Sequence, residues 1–154
     1  MTGEALWPYA LEIYGRPAAE PLLLELQDAH GQCVPYLLWA LWLAASGRSG
    51  DLATMGAGAA LAQAWQEVAI QPLRERRRGL KARSSGAALK RLNDGVKKLE
   101  LEAERMLLQM LEDASPGPAG DSRPLAAALT EAATIWGDDP PAPMLAELAA
   151  IAER

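Results

Sequence analysis

The chain has 154 residues, half of them apolar, with one cysteine and a formal net charge of −5. That is enough for one domain with a real core and excludes global disorder, while a single thiol excludes an internal disulfide and any Cys-rich zinc site. Ala and Leu dominate the apolar set, Phe is absent and β-branched residues are few, so helices are favoured over strands and an all-α fold is expected.

A first helix is expected from about Glu4 to Tyr14, with Thr2 as its N-cap. Gly15 stops it, and Pro17 suits the first turn of a second helix that runs to about Ala29 and ends at Gly31. Leu22, Leu23 and Leu26 give this helix an apolar face. Pro35 opens a third helix, to Ala45, which is apolar nearly all round and therefore belongs at the centre of the core. The apolar run Val34–Ala45 covers twelve residues, short of the about twenty that span a bilayer. No basic start or cleavage site marks a secretory signal, so a soluble cytoplasmic protein without a membrane span is expected.

After the turn Arg48–Asp51, a fourth helix starts near Leu52 and reaches about Ala82. Gly56 and Gly58 allow close backbone approach, and Leu61, Trp65, Val68 and Leu73 mark its buried side. Pro72 should kink or split it. A turn at Arg83-Ser84-Ser85-Gly86 leads to a fifth helix. There Leu89, Leu92, Val96, Leu99, Ala103, Met106 and Met110 alternate spacings of three and four, the stripe of a helix packing along a partner. The nearest partner is the fourth helix, which predicts an antiparallel α-hairpin over about 52–113; the same stripe could instead pair two copies of the chain as a homodimer. Residues 1–113 then form a compact bundle of about five helices. Residues 114–122, rich in Pro, Gly and Ser, read as a flexible linker, and 123–154 as a short extension with helices near Pro124–Trp136 and Pro143–Ala152.

Ten of the fifteen Lys and Arg residues lie between Arg74 and Lys98, against two acids, Glu75 and Asp94; that window carries a formal +8 while the remainder sums to −13. Arg74, Arg77, Arg78 and Lys81 recur at i, i+3, i+4 and i+7, a single stripe with only Glu75 nearby as an acid. Lys90, Arg91, Lys97 and Lys98 follow on the other limb, so the hairpin gathers all ten within roughly 20 Å of its tip. Three readings stand: a solvated face balanced by the acidic remainder, a contact for an acidic protein surface, or a phosphate-tracking contact with nucleic acid such as structured RNA. No aromatic residue interleaves the cations, which counts against base stacking.

A second candidate is a ligand site at Asp28, His30, Trp39 and Trp42, with Cys33 close by. His and Cys three apart can ligate a metal or make a nucleophile, but no further His or Cys completes a zinc set, and His30 before Gly31 also suits a helix C-terminus. Trp39 and Trp42, one turn apart, fit either an aromatic core or a groove for a flat ligand. Asp138-Asp139 before two prolines reads as a turn. No cofactor, metal or catalytic residue is assigned, and a non-enzymatic reading is preferred.

Three blocks carry a resemblance: Leu6–Gly15; Leu26-Gln27-Asp28-Ala29-His30-Gly31 with Leu37–Ala44; and Pro72–Lys81 followed by Glu102-Ala103-Glu104-Arg105. Together they resemble a family of small proteobacterial proteins of unknown function, over roughly residues 4 to 110. The family often has a polar residue where this chain has Pro35. The resemblance implies a bacterial cytosolic helical protein and brings no activity. The expected function is therefore that of a helical adaptor or regulatory protein meeting an acidic partner at the basic hairpin tip. An RNA-associated protein, and a small ligand binder or enzyme around His30, are the alternatives.

Overall fold

A computed structural model describes residues 5–83 and 86–154. Thr2 and Glu4 at the expected start of the first helix, and Ser84 and Ser85 in the expected turn, lie outside the described residues. Helices α1 (Leu6–Tyr14), α2 (Ala19–Asp28) and α3 (Val34–Ala45) follow the expected order. Then come α4 (Leu52–Trp65), a π-helical turn at Gln66–Ile70, α5 (Gln71–Ala82) and α6 (Ala87–Asp113), and finally α7 (Leu125–Trp136) and α8 (Ala142–Ala152). The fold is all-α; the described residues outside helices contribute one isolated bridge, Arg48 with Pro118.

α3 is the centre of the core. Every residue from Val34 to Ala44 is buried, and α3 packs against α1, α2, α4, α6 and α7. A helix without a polar face has no other stable place. Gly47 ends it in a left-handed conformation (φ 69°), with the Arg48 N–H donating to the Leu43 carbonyl at 2.9 Å. The Gly47 carbonyl in turn accepts N–H bonds from Ala119 (2.8 Å) and Asp121 (3.0 Å). Ser115 accepts the Trp39 indole N–H at 2.8 Å. Segment 114–122, expected to be a flexible linker, is thus held against the α3–α4 turn, and α7 and α8 share the one core, α7 on α3 and α8 on α2.

Pro72 does not split the helix but interrupts its α-helical hydrogen-bond pattern. It lacks an N–H, and its ring would clash with the carbonyl four residues back. The chain answers with the π turn, in which the Gln71 N–H donates to the Gln66 carbonyl, so α4 and α5 remain continuous. The wider turn changes the phase. Val68, expected on the buried side from a straight helical period, is 75% exposed, while Ile70 is buried.

α5 and α6 form the antiparallel hairpin. Arg77 and Arg74 meet Glu100, and the Trp65 indole N–H reaches the Ala103 carbonyl at 2.8 Å, so earlier residues on one limb meet later ones on the other. The stripe expected on α6 is rotated. Ala103 is buried and Leu89, Val96 and Met110 are partly so, but Leu92, Leu99 and Met106 are more than half exposed. Glu100, Leu107 and Leu111 take the inner places.

Candidate functional site

The arginine stripe on α5 divides into an inner and an outer set. Arg74 is 6% exposed and lies under the hairpin. Its Nε donates to Glu100 at 3.1 Å, and its Nη2 donates to Gln27 of α2 at 3.0 Å and to Glu104 at 3.5 Å. Arg77 donates to both oxygens of the buried Glu100, at 2.7 and 3.3 Å. Arg78 donates to Asp28 at the end of α2, at 2.9 Å in an exposed pair. The expectation that only Glu75 was near enough to balance these arginines is corrected here: the balancing acids come from α6 and α2. Placing Arg74 inside the protein also removes it from the proposed contact surface.

This network is electrostatically uneven. Burial pushes the Glu104 carboxyl up to about 7, and Arg74 only partly opposes that. The hydrogen bond to Glu100 holds the Arg77 guanidinium above its ordinary value. Burying charge is costly unless each member is paired, so the inner set clamps α2, α5 and α6 in one arrangement. The sequence signal for it was Glu100 and Glu104, one turn apart on the second limb and facing Arg74 on the first.

The outer set is Arg76, Lys81, Arg83, Lys90, Arg91, Lys97 and Lys98. All seven are exposed, and none makes an ion pair among the described residues. Lys81, Lys90 and Lys97 come from both limbs to line a cleft of about 450 Å³ near the tip.

The four residues read as a ligand site are not brought together on one accessible surface. Trp39 and Trp42 are 1% and 2% exposed within α3. A Cβ on Gly58 would clash with the edge of the Trp39 ring, so this glycine lets the indole seat against α4. Arg48 covers the Trp42 ring at 4.1 Å. His30 is exposed in the turn after α2, and Asp28 is engaged by Arg78. Cys33 is buried and its thiol is pushed up to about 12 by burial, which leaves it protonated and unreactive at neutral pH. Among the described residues, no three of His, Cys, Asp and Glu gather to hold a metal, and no helix is long and apolar enough to cross a membrane.

These features define an all-α bundle whose helical hairpin is clamped from within by ion pairs and carries outside it cations that make no ion pair among the described residues. The chain belongs to the DUF2390 family, described as proteins of unknown function, whose model matches residues 5–111. That span runs from the start of α1 almost to the end of α6 and includes the whole clamp. No curated protein and no solved structure matches the chain.

Proposed function

We propose that the protein is a non-enzymatic helical adaptor or regulator of the bacterial cytoplasm that docks an acidic protein surface on its hairpin tip. One observation carries this reading: seven exposed cations on two adjacent limbs make no ion pair among the described residues, in a chain whose net charge is −5. Lys81, Lys90, Arg91, Lys97 and Lys98 carry the contact, joined by Arg76 and Arg83. Arg74 and Arg77 act from beneath by fixing the limbs, and Arg78 ties α5 to Asp28 at the surface. Complementary charge of this kind speeds and orients encounter more than it tightens the final complex.

The test is affinity capture from lysate, with and without nuclease, comparing the wild type with Lys90→Glu/Arg91→Glu/Lys98→Glu. Loss of the same proteins from the variant, unaffected by nuclease, is expected. An identical captured set in both overturns the proposal, and capture abolished by nuclease moves it to RNA. The outward row Leu92, Leu99 and Met106, at seven-residue spacing, favours a second reading in which two copies pair along α6. Light scattering of wild type and Leu99→Glu checks it: a monomeric mass for both overturns pairing.

A further inference from the structure

A groove of about 530 Å³ lies between α1, α2 and α6, with α3 below it and α5 at one end. Its volume is in the range of small-molecule sites. From α6 it takes Glu100 together with Lys97, Leu101, Glu104 and Leu108, the last four on one face spaced four, three and four. Eleven residues at 1.5 Å each make that face about 16 Å long. The α1 wall is fixed to α6 at its far end, where the Leu6 N–H donates to Glu112 and Arg105 lies over the Trp7 ring at 4.9 Å.

The two ends of the groove differ in chemistry. Toward Trp7 and Leu108 it is apolar, and three leucines from three helices remain about half exposed around it: Leu11 (49%), Leu24 (48%) and Leu101 (55%). Apolar side chains that converge from separate elements and stay wet mark a surface that something covers. Toward the hairpin the lining turns charged, with Arg77, Lys97 and Glu100. Arg77 is spent on Glu100, whereas Lys97 makes no ion pair among the described residues. Of the three acids in the lining, Glu100 pairs with Arg74 and Arg77 and Glu104 with Arg74, and none, Glu20 included, pairs with Lys97.

We propose that this groove binds a small amphiphile, an unbranched apolar chain ending in a single carboxylate. The chain lies over Leu101, Leu24 and Leu11 toward Trp7, and the carboxylate meets Lys97 at the hairpin end. The stretch from Leu101 to Leu108 is about 10 Å at 1.5 Å per residue, the extended length of an alkyl chain of about ten carbons. No bond is made or broken, so the role is carriage or sensing.

The groove shares Lys97 with the surface proposed at the tip, whereas Leu101 and Leu24 lie outside that surface, so the leucine variants distinguish the two sites. The experiment is calorimetric titration of the full chain with decanoate, kept below its micellar concentration, and with decanol. Saturable one-to-one decanoate binding is expected, weakened at least ten-fold by Leu101→Asp and by Lys97→Gln, and at least ten-fold weaker for decanol. Leu101 and Lys97 are exposed, so both variants should keep the wild-type helical signal and melting temperature; Leu24→Asp provides a second apolar variant. No saturable decanoate binding below millimolar concentration overturns the proposal, as does unchanged binding by Leu101→Asp and Leu24→Asp. Equal affinity for decanol overturns the assignment of the carboxylate to Lys97. Loss of decanoate binding with partner capture intact, or the reverse, separates this site from the hairpin tip.

Discussion

Replacing Glu104 by Gln should make the protein's stability less dependent on pH, in a direction fixed by the clamp. Glu104 titrates near 7 in the folded protein and near 4.5 in an unfolded chain, because burial disfavours its charge more than Arg74 favours it. A carboxyl whose folded value is raised binds its proton more tightly when folded. Its contribution is therefore fully present below about 4.5 and is lost as pH rises through about 7. At about 1.4 kcal/mol per pH unit, the gap is worth roughly 3 kcal/mol. Gln cannot titrate. The stability of Glu104→Gln minus that of the wild type should then rise by up to about 3 kcal/mol between pH 4.5 and pH 8, whatever its value at the acid end. Urea denaturation of both proteins at half-unit steps from pH 4.5 to 8.5 measures it. A flat difference would refute the reasoning, because Glu104 would then be as well solvated, or as well paired, as an ordinary carboxylate. A falling difference would mean that Arg74 outweighs burial.

Three further outcomes follow from the packing. Arg74→Ala leaves Glu100 buried with only Arg77 beside it and should cost about 3 to 5 kcal/mol, whereas Arg74→Met with Glu100→Leu should cost far less, both read by chemical denaturation. Gly58→Ala pushes a methyl group into the Trp39 ring and should cost about 1 to 3 kcal/mol, while the same change at the open Gly56 should be neutral or stabilising. The Cys33 thiol should resist a thiol-specific reagent at pH 8 in the native protein and react fully in denaturant; rapid native reaction would contradict its burial.

The helices were legible because their signals are local. Gly31, Pro35, Gly47 and Pro72 punctuate the chain where its elements change, and an apolar run such as Val34–Ala44 can only be a core helix. The face of α6 was legible only in part. The stripe 92, 96, 99, 103, 106, 110 and the stripe 93, 96, 100, 103, 107, 110 share every second member, and the choice turns on Glu100, which by polarity belongs outside. It is inside because Arg74 and Arg77 reach it across the hairpin, 26 and 23 residues away. No window of neighbouring residues contains that fact. Val68 was misplaced for a different reason: the π turn adds a phase shift that a 3.6-residue period does not allow for. Segment 114–122 has the composition of a linker, and composition cannot show that the Gly47 carbonyl and the Trp39 indole tie it down. Of the candidate contact residues, Lys81, Lys90, Arg91, Lys97 and Lys98 are exposed, whereas Arg74, Arg77 and Arg78, read from the same charge pattern, are paired with acids that lie far away in sequence. The groove could not be read from the sequence, since Leu11, Leu24 and Leu101 converge only once three helices are packed.

The clamp also bears on the order in which the chain folds. The hairpin closes over short separations, but the bond from Arg74 to Gln27 spans 47 residues and requires α2 to be in place. Until it arrives, water can still solvate the guanidinium, and the hairpin is free to form and re-form. Once α2 docks, that water is expelled, and a chain with α2 out of register would trap a charge with an unmet donor. A clamp that forms late in assembly makes a kinetic prediction. Its loss in Arg74→Ala should appear in stopped-flow measurements as faster unfolding, with the refolding rate nearly unchanged.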